Sequence, residues 1–165
     1  MPISDYMRAL RAKIGHQLVE IPSVAILAFD DQQRVALVYH SEVDVWTIPG
    51  GAIEPLEVPA DAAAREMWEE TGLDVDLLRV IGVYGGPEFT TTYKNGDRVG
   101  FAMIVFEAKI RGGELRPDGK ETLDVRWFSR GELEDHPVQP WVPQVLANAY
   151  SDRERVHFEP SRWRP

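Results

Sequence analysis

The sequence contains no cysteine, which excludes disulfide bonds, thiolate metal sites and thiol redox chemistry. It also lacks an apolar run of membrane-spanning length, and its first residues lack the charged-then-apolar order of a signal peptide. Basic residues are few, since 18 Lys and Arg stand against 27 Asp and Glu for a net charge of −9. Non-specific binding to DNA or RNA needs a basic surface. We therefore expect a cytoplasmic protein that binds neither membranes nor nucleic acid.

The rest of the composition is that of a globular protein. With 165 residues, 44% of them hydrophobic, the chain is long enough for one domain with a substantial core. Its apolar periodicity and its turn residues predict a series of strands and helices. Strands are predicted at 24–29, 35–39, 75–84, 99–110 and 125–128, and helices at 4–14, 58–71 and 144–150. This order favours an α/β fold with a mixed β-sheet flanked by helices.

The central helix has clear boundary signals. Pro59 can occupy its first turn, and Gly72 stands where a C-terminal cap belongs. Before it, Pro49, Gly50 and Gly51 form a turn signal, because proline fixes one backbone angle and glycine tolerates positive φ. Four small or apolar residues recur at helical spacing and are expected to face the core: Ala60, Ala63, Ala64 and Met67.

The same helix carries three acids close together. Glu66, Glu69 and Glu70 stand at positions i, i+3 and i+4 near its C-terminal end. Like charges so spaced repel by roughly a few tenths of a kcal/mol per pair, and their position also opposes the helix dipole. An arrangement that costs stability twice favours a compensating cation, and oxygen ligands suit Mg²⁺ or Mn²⁺ rather than zinc. The alternative is a solvated acidic face, the usual outcome for an isolated charge run.

The three acids belong to a longer pattern between residues 51 and 73. It runs Gly, five residues, Glu, seven residues, then Arg-Glu-apolar-any-Glu-Glu-any-Gly-apolar. The restricted positions are filled by Gly51, Glu57, Arg65, Glu66, Met67, Glu69, Glu70, Gly72 and Leu73. This segment resembles the Nudix box, the signature of the Nudix hydrolases, at every fixed position. Nine restricted positions in register are far more specific than a lone glycine motif, and they favour the metal site over the solvated face.

The resemblance implies a fold and an organisation of the chain. The expected fold is a Nudix-type α/β/α sandwich in which a mixed β-sheet lies between helices. We expect a helical N-terminal segment at 1–16, a Nudix hydrolase domain at 17–150 and a C-terminal tail at 151–165. The tail could pack on the domain, contact a second subunit or reach the substrate, and packing is the role we expect. Nudix domains commonly form dimers, so the resemblance also implies a homodimer.

The resemblance further implies a role for each residue of the box. Glu66, Glu69 and Glu70 would hold Mg²⁺, for which Mn²⁺ could substitute. Five further residues in or beside the box would have structural roles: Gly50, Gly51, Glu57, Arg65 and Gly72. Glu57 and Arg65 would brace the loop against the helix, and Gly50 and Gly51 would let backbone groups approach the metal.

The proton acceptor is a separate question. The resemblance implies attack by water on a diphosphate, and Nudix hydrolases take the proton with either a box glutamate or an acid on a distant loop. The catalytic candidates here are Glu66 and Glu69 in the box and Glu121, which precedes Trp127 by six residues. Its position resembles that of a loop acid in many Nudix proteins, which lies shortly before a strand with an Arg-Trp-Phe-like sequence. Asp118 and Asp124 are weaker alternatives, and a solvated loop position is the alternative for Glu121 itself.

Substrate contacts lie outside the box. Trp46, Tyr93 and Trp127 are candidates for stacking on a nucleobase, and Arg34 is a candidate for holding phosphate. Each has a competing structural role, in the core for the aromatic residues and on the solvated surface for the arginine. His40 shows no ligand spacing to another histidine and is interpreted as structural.

Several functions fit these patterns. The leading hypothesis is a Mg²⁺-dependent pyrophosphohydrolase that cleaves a nucleoside diphosphate linked to another moiety, as in nucleotide sugars, ADP-ribose or CDP-alcohols. The first alternative is a house-cleaning nucleoside triphosphate pyrophosphohydrolase. A second alternative, a nucleotide sensor without turnover, is disfavoured because all the box acids are present. Processing of RNA 5′ ends is disfavoured by the acidic balance.

Overall fold

The computed structural model describes residues 4–151 and 153–164. Its α-helices are α1 (Asp5–Ile14), α2 (Pro59–Thr71) and α3 (Val142–Ser151). Its strands are β1 (Val19–Ala28), β2 (Val35–His40), β3 (Val45–Thr47), β4 (Gly50–Ala52), β5 (Leu73–Tyr84), β6 (Thr90–Thr92), β7 (Arg98–Gly113) and β8 (Thr122–Phe128). Two short 3₁₀ helices lie at Pro87–Phe89 and Glu132–Asp135. None of the helices in the described ranges is long and apolar enough to cross a membrane.

The strands form two sheets. The larger sheet has the order β4-β1-β7-β5, with β6 paired to β7. It is mixed because β1 runs parallel to β7 while its other pairs are antiparallel. The smaller sheet, β3-β2-β8, is antiparallel. The predicted mixed sheet flanked by helices is therefore confirmed, and the sequence did not reveal that three strands separate into a second sheet.

Strand β1 lies between the two halves of the core. Successive side chains of a strand point to opposite faces of its sheet. Ala25 and Leu27 accordingly join the cluster that contains α3, whereas Val24 and Ile26 join the cluster that contains α2. All four are almost fully buried. The two helices therefore cover opposite faces, which is the α/β/α layering.

Helix α2 has the predicted ends but a different core face. It begins at Pro59 and ends at Gly72, whose φ of 71° is a left-handed conformation that glycine adopts without strain. Ala63 and Met67 are buried as predicted, but the prediction for Ala60 and Ala64 is wrong because both are exposed. The buried stripe instead includes Glu66 and Glu70. An apolar pattern could not show this, because it excludes charged residues from the core face.

The predicted glycine turn is also different. Gly50 starts strand β4, which pairs with β1 through Ala25↔Gly50 and Val24↔Gly51. A Cβ atom at Gly50 would lie 2.2 Å from the backbone oxygen of Val24. Glycine is therefore needed here for close approach of two backbones rather than for a turn.

Two terminal segments pack on this body. Helix α1 begins at Asp5 and is capped by Ser4, whose hydroxyl accepts a hydrogen bond from the Met7 N–H at 3.2 Å, and none of the helix residues is buried. At the other end, the His157 N–H donates to the oxygen of Ile81 at 2.8 Å, and the Val83 N–H donates to the oxygen of His157 at 2.9 Å. These two bonds attach the tail to the edge of β5.

Candidate active site

Two of the three box acids on α2 are buried. The 13-residue helix α2 turns Glu66 and Glu70, one turn apart, towards β4, and they are 5% and 3% exposed. The Gly50 N–H donates to Glu70 Oε2 at 2.9 Å. A Cβ atom at Gly51 would lie 2.5 Å from Glu66 Oε1, so only glycine leaves space for that carboxylate. Glu69 differs, because its side chain is 40% exposed.

Arg65 braces the loop against the helix. Its Nε and Nη2 donate to the two oxygens of Glu57 at 2.8 and 2.9 Å, and Nη2 also donates to the oxygen of Ala52 at 3.2 Å. Its Nη1 donates to Glu66 Oε1 at 2.6 Å and to Glu69 Oε2 at 3.2 Å. The bonds from Arg65 hold the pKa of Glu57 below its ordinary value. One guanidinium therefore fixes the loop and the helix acids together.

The electrostatics of Glu66 and Glu70 favour a cation. Burial raises the pKa of Glu70 to about 8, the charge of Glu66 adds to this shift, and the Gly50 N–H only partly opposes it. Burial also raises the pKa of Glu66, against the opposing effect of Arg65. Among the described residues, Arg65 forms ion pairs with Glu66 and Glu69 but no side-chain cation forms one with Glu70. A buried carboxylate without a cationic partner is costly, and a bound metal ion would remove that cost.

A histidine and a distal acid meet Glu70. One ligand atom from each of His40, Glu70 and Glu121 can be chosen so that all three lie within 4.8 Å of one another. His40 is the last residue of β2, and burial lowers the pKa of its imidazole, which keeps the ring neutral. A neutral imidazole and carboxylates are suitable ligands for a divalent cation. The structural interpretation of His40 therefore overlooked a position next to the acids.

The loop before β8 positions Glu121. Its backbone oxygen accepts the Ser41 N–H at 2.7 Å, which ties it to the end of β2. Asp118 Oδ1 accepts the N–H groups of Lys120 and Thr122, both at 2.9 Å. Burial alone would raise the pKa of Asp118, but these bonds outweigh it and lower the pKa. Asp118 thus shapes the loop that carries Glu121.

These residues border one cavity of about 610 Å³. Its catalytic side is formed by His40, Gly50, Gly51, Glu66, Glu70 and Glu121. Tyr93 also lines it, and burial raises the pKa of this phenol to about 12, so that it stays a neutral hydrogen-bonding group. Glu69 is not among the described lining residues.

The other three predicted substrate residues lie elsewhere in the described structure. Arg34 forms an ion pair with Asp30 at 2.6 Å. Trp46 is 5% exposed and its ring centre lies 4.7 Å from that of Phe128 in the core. Trp127 packs against the cluster under α2. None of the three is among the described residues that line the cavity.

Helix α1 supplies lining residues that the sequence did not single out. Ser4, Met7 and Arg11 border the cavity. Their sequence signal is an ordinary amphipathic helix, which predicts packing and says nothing about a cavity. Only the three-dimensional arrangement could reveal them.

Comparison with known proteins identifies the family. The profile of the NUDIX domain matches residues 19–149. The chain belongs to this family. The match confirms the prediction of a Nudix hydrolase, an enzyme acting on phosphoric anhydride bonds, and such hydrolases generally use a divalent metal.

Related proteins agree on the family and differ in their substrates. A Bacillus subtilis (strain 168) protein named "Putative 8-oxo-dGTP diphosphatase" is 34% identical over 108 residues, 66% of each chain. The NAD-capped RNA hydrolase NudC of Vibrio vulnificus (strain CMCP6) is 31% identical over 136 residues, 77% of this chain and 48% of the relative. The chain therefore spans two thirds or less of these two relatives. A solved NUDIX hydrolase of Nitrosomonas europaea has a TM-score of 0.64 at 22% identity, covering 81% and 90% of the two chains, which shows a common fold.

We expect Arg65→Lys to destabilise the protein. Lysine keeps the charge but has no fork, so it cannot bond to Glu57, Glu66, Glu69 and the loop backbone together. The free energy of unfolding in urea should fall by on the order of 3 kcal/mol, as for other broken, largely buried pairs. Arg111→Lys is the control, because Arg111 pairs with Asp74 at the surface, and it should change stability by less than about 1 kcal/mol. Equal effects of the two variants would contradict the bracing role.

The metal-free protein should lose stability as pH rises from about 5 to 9. Because the folded-state pKa of Glu70, about 8, lies above its unfolded value, the folded state binds more protons in this range. The stabilising contribution is complete below the unfolded pKa and disappears as pH passes the folded pKa. Thermal melting in a chelating buffer should show this slope, and Glu70→Gln should reduce it, leaving the part due to Glu66. The exposed Glu88→Gln should leave it unchanged, and a flat wild-type profile would contradict the account.

Proposed function

We propose that this Nudix hydrolase cleaves a nucleoside diphosphate linked to another moiety, such as a nucleotide sugar, ADP-ribose or a CDP-alcohol, with Mg²⁺ as its cofactor. The observation that carries the proposal is the buried pair of box acids, Glu66 and Glu70, at the wall of a cavity of about 610 Å³. Two like charges buried one turn apart suit the binding of a divalent cation. The carboxylates supply the oxygen ligands that Mg²⁺ prefers, with Mn²⁺ as a substitute.

Glu66, Glu69 and Glu70 would hold the cation, with His40 and Glu121 beside Glu70. When bound, the cation would neutralise charge on the diphosphate oxygens and lower the pKa of the attacking water. Arg65 keeps the Glu66 carboxylate in place through its bond at 2.6 Å, and the Gly50 N–H does the same for Glu70 at 2.9 Å. Tyr93 can donate a hydrogen bond to the substrate from the cavity wall.

Glu121 is our candidate for the proton acceptor. A general base must come within hydrogen-bond reach of the proton that it removes. Glu121 borders the cavity and has a ligand atom near Glu70, which supports a role as base or as a further metal ligand. Glu69 is half-exposed, bonds to Arg65 and does not line the cavity in the described structure, which weakens its candidacy. Glu66 is engaged by Arg65, which favours metal binding over proton transfer.

A second candidate function is the hydrolysis of a nucleoside triphosphate with release of pyrophosphate. It is favoured by the name of the Bacillus relative, an 8-oxo-dGTP diphosphatase. Both reactions use the same acids and differ in the group beyond the diphosphate. A panel of nucleoside triphosphates, nucleotide sugars, ADP-ribose and CDP-alcohols, assayed with Mg²⁺ and phosphatase to release product phosphate, separates them.

The proposed partner is a small nucleotide, without membrane or general nucleic-acid binding, in the cytoplasm. A homodimer remains a prediction of the family resemblance. Light scattering at micromolar concentration would test it, and a monomeric mass would contradict it.

Glu70→Gln should abolish hydrolysis of the preferred substrate. Removal of the charge leaves the cation without its most buried ligand, so kcat should fall by about 10³-fold or more, comparable to the loss of a strong electrostatic contact to the transition state. A chelator should abolish the activity of the wild type in the same way, and added Mg²⁺ should restore that activity. Turnover of Glu70→Gln within tenfold of the wild type would contradict the proposed metal site.

Glu121→Gln and Glu69→Gln form a matched pair for the base. We expect Glu121→Gln to lower kcat by about 10²-fold or more and Glu69→Gln by less than about tenfold, because general-base catalysis contributes at least about 10²-fold. The pH profile of kcat should also change only for Glu121→Gln. The reverse order of the two effects would transfer the role to Glu69.

A further inference from the structure

Helix α1 lies outside the matched family domain but borders the catalytic cavity. The NUDIX match begins at Val19, whereas α1 ends at Ile14. Ser4, Met7 and Arg11 nevertheless line the same cavity as Glu66 and Glu70. None of the residues of α1 is buried, so the helix adds little to the hydrophobic core. Its position over the cavity is therefore not explained by core packing.

Arg11 fastens this helix to the hairpin that leads into β7. Its Nη1 donates to the oxygen of Gln17 at 2.7 Å, and its Nη2 donates to the oxygen of Arg98 at 2.9 Å. Its side chain is only 9% exposed, and its Nε lies 3.6 Å from Asp97 Oδ2. Because the N–H groups of this guanidinium are occupied by contacts within the protein, it holds α1 in place and is poorly placed to bind phosphate.

Asp97 is the second part of the fastening. It is 8% exposed, and its Oδ1 lies 2.7 Å from His16 Nδ1, just beyond the end of α1. Its Oδ2 accepts a hydrogen bond from Asn95 Nδ2 at 3.0 Å. Charge-assisted bonds of this kind hold geometry well when one partner is buried. Asp97 thus fixes α1 to the cavity wall.

Beside the polar side chains of Arg11, Asn95 and Asp97, the cavity lining near α1 contains a group of apolar residues. Met7 stands one turn before Arg11 on the same face of the helix. The described lining on this side includes Ile21, Val99, Phe101 and Met103. Arg11 contacts the backbone of Arg98, directly before Val99, and Ile21 pairs with Phe101. Met7 therefore belongs to the apolar side of the cavity.

This side lies at a distance from the metal-binding acids. Val24 of β1 pairs with Gly51, next to Glu66, whereas Ile21 lies three residues earlier in the same strand. At roughly 3.3 Å per residue, the separation along β1 is about 10 Å. With the diphosphate at the acids, as the proposed function has it, the apolar residues are left for the group that the diphosphate carries. An unbranched thioether adapts well to a planar aromatic ring.

We infer that α1 is a specificity element of the active site: Met7 contacts the nucleobase carried by the diphosphate, and Asp97 is a positioning residue that holds the helix there. The inference rests on the proposed function, because it assumes that the diphosphate lies at Glu66 and Glu70. It assigns substrate selection to a segment outside the matched domain.

Four nucleoside diphosphate glucoses that differ only in their base, or the four nucleoside triphosphates, provide the test. For Met7→Ala, we expect KM of the preferred substrate to rise about tenfold with kcat within twofold, as for loss of an apolar contact common to ground and transition states. The ranking of bases by kcat/KM should flatten. Met7→Trp places a larger side chain in the cavity, so kcat/KM should fall more for purine substrates than for pyrimidine substrates.

Leu10→Ala is the matched control, because Leu10 is on the same helix, is half-buried like Met7 and is not among the described lining residues. It should leave KM and the ranking unchanged. His16→Ala removes one contact of the fastening without touching the described lining, and it should raise KM and the hydrogen exchange of α1 amides together.

The outcomes separate this inference from the function on which it rests. If the wild type is active but Met7→Ala and Met7→Trp keep its base ranking and KM, the inference is wrong and the function stands. The inference is wrong in the same way if Leu10→Ala has the effect of Met7→Ala. If the folded wild type hydrolyses no substrate with Mg²⁺ or Mn²⁺, the proposed function fails and the inference fails with it.

Discussion

Two carboxylates buried one turn apart on α2 are the constraint on which the rest of the active site depends. Glu66 and Glu70 are 5% and 3% exposed, and burial raises the pKa of both. Strand β4 can lie against them only because Gly51 has no side chain beside Glu66 and Gly50 has none beside the backbone of Val24. Arg65 neutralises one of the two and ties the loop to the helix. The ionised form of Glu70 has no side-chain cation as a partner in the described structure, so its ionisation favours a bound cation and links the packing of α2 to the proposed metal site.

Strand β1 connects the region of the buried acids to the rest of the molecule. The middle of the strand pairs with β4 beside the buried acids, and its whole length runs parallel to β7. Because its side chains alternate between faces, it supports α2 on one face and α3 on the other. Its earlier residues continue into the apolar side of the cavity. The proposed metal site and the apolar part of the cavity are therefore two regions along one strand pair.

Features that depend on local sequence could be predicted, and those that depend on packing between distant segments could not. The ends of α2 at Pro59 and Gly72 follow from proline and glycine preferences, and the box places its acids without ambiguity. Nothing local distinguishes a core tryptophan such as Trp46 from one that stacks on a base, since both are aromatic residues on strands. His40 likewise reaches Glu70 only because β2 ends beside the loop that carries Glu121.

The charge of the cavity itself argues for the role of the cation. Its described lining contains six carboxylates, Glu42, Glu54, Glu66, Glu70, Asp97 and Glu121, and the cationic side chains of Arg11 and Lys120. Arg11 is occupied by backbone oxygens and Asp97, so little positive charge is left to face an anionic diphosphate. A diphosphate approaching such a wall would be repelled at close range. Divalent cations invert that local potential, and an acidic protein can thus bind an anionic substrate.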